Sequence, residues 1–169
     1  MMLAGSGTWA AVAAVFALSL NAFSLGAVPL STPVATTVAE AAPAVAAAEL
    51  EPQWRPRVTL YHAGGGGAGP RDSLGCRPVP MRTIATDPNL IPRRSVVYIR
   101  ETDGLRLPDG TVHDGVWYAS DTGGAIRGGK IDLYTGHGRA SMQPVMPLNT
   151  RNVSVVRIGS FRGCPPTEA

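Results

Sequence analysis

The stretch DTGGAIRGGKIDLY, residues 121–134, sets two carboxylic acids eleven positions apart around a glycine turn. Asp121 closes the apolar run VWYAS, and Asp132 stands between Ile131 and Leu133. Period-2 alternation turns Asp132 to the face opposite those two apolar neighbours. Aspartate is depleted in strands, so one in this setting calls for a reason. If the strand half-buries it, desolvation raises its pKa and keeps it protonated, and a second carboxylate nearby pushes the same way. A protonated carboxyl is the group that acid-assisted cleavage of a glycosidic bond requires. The plainer alternative is that these residues only serve the turn, since Asp next to glycine commonly bonds its own backbone.

These acids need strands to hold them, and the chain supplies about six. Arg57–His62 (RVTLYH), Arg82–Thr86 (RTIAT), Ser95–Arg100 (SVVYIR), Val116–Ser120 (VWYAS), Lys130–Tyr134 (KIDLY) and Asn152–Ile158 (NVSVVRI) all read as short strands. RTIAT ends at Asp87-Pro88, where the proline favours an extended backbone before it. In TDGLRLPDGTVHDG the turn signals Asp103-Gly104 and Asp109-Gly110 predict a hairpin. With 20 glycines, 15 prolines and 6% aromatics, long helices are not expected. Strands of this length and density predict an all-β small barrel or sandwich.

Other residues are weaker candidates. Tyr134 and Lys130 share a strand face with Asp132 and are groove candidates. Trp117 is expected in the core, with Tyr118 pointing the other way. His62, His113 and His137 lie at turn edges or in glycine-rich loops and are expected at the surface. AGGGGAGP, residues 63–70, lacks the lysine and the following helix of a phosphate-binding loop. No nucleophilic triad signature is present, and no metal or cofactor is implied.

The formal charge is +3, from 15 basic and 12 acidic residues, with no Lys/Arg cluster. Basic and aromatic residues do not interleave, so no nucleic-acid partner is expected. Every basic residue lies from Arg55 onward. Trp9–Leu30 is almost wholly apolar and reads as a signal peptide or a membrane anchor within residues 1–30, with cleavage candidates after Ala27 and Ala46. An Ala/Pro-rich linker over 31–55 follows, and the domain occupies 56–164. The chain is therefore expected to be exported to the periplasm or cell envelope. In an oxidising compartment Cys76 and Cys164 would form one disulfide across the domain, the alternative being two unpaired thiols.

TIATDPNLIP, SDTGGAIRGGKIDLY and TGHGRASM together resemble the 3D (three-aspartate) domain. That domain occurs at the C-terminus of membrane-bound lytic transglycosylase A and in small cell-wall lytic proteins. The resemblance runs from about Thr59 to Phe161, and its most specific part is DTGGAIRGGKID. It implies a six-stranded double-psi β-barrel and a murein lytic transglycosylase, which splits the MurNAc–GlcNAc β-1,4 bond and leaves 1,6-anhydro-MurNAc. It makes Asp132 the acid and Asp121 its charge-supporting partner, and gives Asp87 a structural or substrate-side role. The implied partner is the glycan strand of peptidoglycan, met by a monomer without cofactor. The resemblance does not extend to the transglycosylase's second domain, the other wall of its glycan groove. A non-catalytic wall-binding barrel is the alternative.

Overall fold

The computed structural model describes Ala47 and residues 49–167. The N-terminal apolar run and both cleavage candidates lie outside those residues. Among the described residues no helix is long and apolar enough to cross a membrane. Six strands form one sheet: β1 (Arg57–Ala63), β2 (Thr83–Thr86), β3 (Ser95–Arg106), β4 (Val112–Asp121), β5 (Lys130–His137) and β6 (Val155–Ser160). Their order is β1-β5-β2-β4-β3-β6. The pairs β1/β5 and β2/β4 are parallel, while β5/β2, β4/β3 and β3/β6 are antiparallel.

Strand pairing ends at β1 on one side and β6 on the other, so the strand ladder by itself does not close. Backbone hydrogen bonds nevertheless join the two edges. Val58 N donates to Arg151 O at 2.8 Å, Thr150 N to Val58 O at 2.8 Å, and Val153 N to Pro56 O at 3.0 Å. The last strand begins at Val155, three residues later than expected, and Val155 is itself bonded to Trp54. The backbone of residues 150–153 is already paired with the chain around β1.

The apolar runs pack as their alternation requires. Val58, Ile84, Val97, Ile99, Trp117, Ile131, Leu133 and Val155 form the core, with Trp117 fully buried and its indole N–H on Thr102 Oγ1 at 2.9 Å. The predicted hairpin is present, but only one of its two signals is the turn. Asp109-Gly110 turns the chain, with Leu107 N donating to Thr111 O at 2.9 Å. Asp103-Gly104 lies inside β3, where the register with β4 shifts. A 3-10 helix over Arg139–Leu148 was not expected from the sequence. It contains Pro144 and Pro147 and buries Val145; prolines remove donors and break helical patterning. Cys76 and Cys164 are bridged, with Cα atoms 5.6 Å apart and a sequence separation of 88.

Candidate active site

Sheet register brings the two acids of the glycine turn together. Asp132 on β5 lies opposite Thr59 on β1 and opposite Ala85 on β2. Ala85 in turn lies opposite Asp121 on β4. Residues directly opposite one another point to the same face. Asp132 and Asp121 therefore flank Ala85 in one cross-strand row, their backbones separated by two strand spacings, about 10 Å.

The row depends on a bulge. Along β2/β4, Ile84 pairs with Ala119, yet Ala85 pairs with Asp121, so β4 carries one extra residue at Ser120. Without that bulge, regular pairing would put Ser120 beside Ala85 and turn Asp121 away. Bulges re-aim side chains in this manner. Ser120 is instead buried, its Oγ 3.5 Å from Thr83 Oγ1.

Ala85 projects little between the acids, and a cavity of about 230 Å³ opens there. Asp121, Asp132, Tyr61, Leu60, Thr122 and Ile126 line it, with Gly66 and Gly67 of the glycine-rich loop. Three donors fix Asp121. Tyr61 donates its hydroxyl to Oδ2 at 2.9 Å, and the backbone N–H groups of Ser73 and Thr122 donate to Oδ1 at 3.0 and 2.8 Å. Burial, reinforced by the adjacent Asp121, pushes the Tyr61 phenol far above its ordinary pKa, so it stays a donor.

Asp132 stands in a different setting. Its Oδ1 is buried and has no hydrogen-bond partner. Desolvation raises the pKa of its carboxyl above the usual carboxylate value, and the charge of Asp121 adds to the rise. The Thr59 hydroxyl and the Lys130 ammonium act the other way without cancelling it. The two acids of one cavity thus have unlike surroundings, an arrangement that separates acid from charge-bearing roles. Among the described residues no group of three or more His, Cys, Asp or Glu is placed to hold a metal ion.

Asp87 is buried at the end of β2 and acts on backbone. Oδ1 accepts from Asn89 N at 3.0 Å, and Oδ2 accepts from Gly128 N at 2.8 Å. The Gly128 bond is the main cause of a pKa held below the ordinary value. Asp87 therefore staples the turn between Asp121 and Asp132 to β2, and it does not line their cavity. Lys130 is half-buried and reaches back to Ala125 O at 3.4 Å. Tyr134 is buried, its ring 5.3 Å from that of Tyr61, and it lines a neighbouring cavity.

One surface expectation is overturned. His113 is only 1% exposed, stacks on Trp117 at 4.8 Å, and has Nε2 2.6 Å from Met81 O. Burial in the core lowers its pKa and keeps the ring neutral. His137 is exposed and His62 half-buried. Sequence reading passed over Thr59, Tyr61, Ser73 and Ala85. Tyr61 and Ser73 lie 60 and 48 positions from Asp121, so only the assembled sheet reveals their link to it.

Residues 82–145 match the family model described as the 3D domain, the family the sequence resembles. All three aspartates, the bulge of β4 and the glycine turn fall within that stretch; β1 and β6 lie outside it. Solved structures similar to this chain include three enzymes of one kind. The lytic transglycosylase LtgG of Burkholderia pseudomallei is 27% identical over 54% of this chain and 27% of its own, with a TM-score of 0.39. MltA from Escherichia coli is 21% identical over 56% and 28%, with a TM-score of 0.41. The membrane-bound lytic murein transglycosylase from Agrobacterium tumefaciens is 24% identical over 54% and 26%, with a TM-score of 0.38. The chain thus spans little more than a quarter of each relative's length. No curated protein matches it.

Proposed function

We propose that this domain is a peptidoglycan lytic transglycosylase that cleaves the MurNAc–GlcNAc β-1,4 bond, with Asp132 as acid and then base. The observation that carries the reading is the buried, unpartnered Oδ1 of Asp132, in a cavity shared with Asp121. A carboxyl kept protonated by desolvation can give its proton to the leaving oxygen as the C1–O bond breaks. Positive charge then develops at C1, and Asp121, fixed by three donors, stabilises it. The sugar's own C6 hydroxyl attacks C1 and returns its proton to Asp132, closing the 1,6-anhydro ring. Ordinary glycosidases need a second carboxylate to activate water or to attack the sugar. Here the nucleophile is already part of the substrate, and proximity replaces that second group.

The fold that accompanies this reading is a double-psi β-barrel over residues 56–164. Two parallel strand pairs and the backbone bonds between residues 56–58 and 150–153 support it. The Cys76–Cys164 bridge supports an exported, oxidising location. Asp87 serves substrate indirectly, by holding the glycine turn.

Digestion of purified sacculi tests the function. The wild type should release muropeptides with anhydro ends, detected by mass spectrometry, and Asp132→Asn should release ~100-fold less or lower. Equal release by the two proteins contradicts the assignment of Asp132.

A further inference from the structure

A second cavity, about 370 Å³, neighbours the one that holds the aspartates. Tyr61 lines the first, Tyr134 lines the second, and their rings are tilted together at 5.3 Å. The glycine-rich loop borders both, through Gly66 and Gly67 on one side and Ala63 and Gly69 on the other. The second cavity is chemically unlike the first. No acidic residue lines it, whereas Arg77 and His137 do. The remaining wall is largely apolar, made by Pro70, Pro78, Pro80 and the ring of Tyr134.

Arg77 is exposed and makes no hydrogen bond or ion pair among the described residues, so its planar fork of donors is available to a ligand. His137 is seated by the loop. Gly64 has φ +82°, and a Cβ there would come within 3.0 Å of His137 Nε2. Glycine at 64 thus permits both the left-handed backbone and the close approach of the imidazole.

We propose that this second cavity is a subsite for a carboxylate-bearing unit of the glycan. Arg77 and His137 donate to the carboxylate, and Tyr134 with the prolines packs against apolar faces of the same unit. The inference rests on the glycan reading of the neighbouring site and extends it to specificity. A chain of GlcNAc alone carries no carboxylate and would leave Arg77 unused. Two carboxylates could fill the role. One is the free lactyl group of a peptide-free muramoyl glycan; the other belongs to a peptide stem, whose attachment converts the lactyl carboxyl to an amide.

Calorimetric titration of the full chain carrying Asp132→Asn separates these cases. The ligands are chitotetraose, a peptide-free muramoyl tetrasaccharide and its peptide-bearing counterpart. At least one carboxylated glycan should bind about tenfold tighter than chitotetraose. Preference for both assigns the subsite to any carboxylate nearby, and preference for the peptide-bearing glycan alone assigns it to the stem. Adding Arg77→Ala should abolish the preference while chitotetraose affinity stays within about twofold. His137→Ala should reduce the preference severalfold. Equal affinity for all three ligands overturns the proposal, as does an Arg77→Ala loss that falls equally on chitotetraose. Because the titration reads binding, the subsite stands if the preference is found even where the protein with Asp132 intact yields no anhydro products from sacculi. That second result would sink only the catalytic reading.

Discussion

Asp132 is held by burial in a state that opposes its ionisation, at a cost to folding where the unfolded chain would ionise. Its folded pKa lies above the unfolded value, so the native state binds more protons than the unfolded chain between those two values. Stability from this group is complete below the unfolded pKa and is lost as pH rises through the folded one. Asp132→Asn removes the ionisation and should melt at a higher temperature than wild type at neutral pH. The gap should narrow toward pH 4 in calorimetric scans, and a melting difference independent of pH would contradict the burial argument. Asp87 has the opposite sign. Its depressed pKa contributes stability above the unfolded value that is lost as pH falls through the folded one. Asp87→Ala should speed amide exchange at Gly128 and leave Thr122 N–H, held by Asp121, less affected. Asp121 and Asp132 stood out in the sequence because Asp is unusual beside strand residues, whereas Asp87 was singled out by its place at a strand end and by the family resemblance. The staple made by Asp87 was not legible, since its partner is a backbone N–H 41 positions away.

The elements that carry these residues follow from short β-branched and aromatic runs, and those runs were readable. SVVYIR, VWYAS and KIDLY all lie within observed strands, each longer than its apolar run. Their extension and their bulges were not readable, because ladder hydrogen bonds set them and not local propensity. The extra residue in β4 at Ser120 is the decisive example, as it alone aims Asp121 at Ala85 and Asp132. The 3-10 helix escaped because Pro144 and Pro147 lie inside it, and prolines read as helix breakers. Ala85 is the small member of the cross-strand row, 3% exposed and between the two acids. Ala85→Val keeps strand propensity but fills the gap, and should lower turnover of sacculi by more than about tenfold. Its far-ultraviolet circular dichroism should match wild type. Undiminished activity would show that substrate does not enter between Asp121 and Asp132.

For the molecule as a whole, the two cysteines join a loop before β2 to the tail after β6. That loop is part of the site. Asp72 Oδ1 accepts from the N–H groups of Leu74 and Cys76 at 3.0 and 2.9 Å, and the intervening Ser73 donates to Asp121. Replacing both cysteines with serine should lower stability by ~2–4 kcal/mol, read from urea melts, because the unfolded chain regains the freedom of a long loop. Activity should fall as well, since Ser73 is released from Asp121; stability lost without activity would separate the loop from the site. The pairing was legible from the cysteine count and the expected export, whereas the loop's contact with Asp121 required the fold.

The central claim is that the sugar's own hydroxyl, and not water, is the nucleophile in a cavity where Asp132 supplies the proton. Digestion of sacculi in ¹⁸O-labelled water tests it most directly. The account predicts that wild-type muropeptides carry 1,6-anhydro ends, one water lighter than hydrolysis products, with no ¹⁸O at the new terminus. Reducing ends labelled with ¹⁸O would contradict it and point to hydrolysis instead.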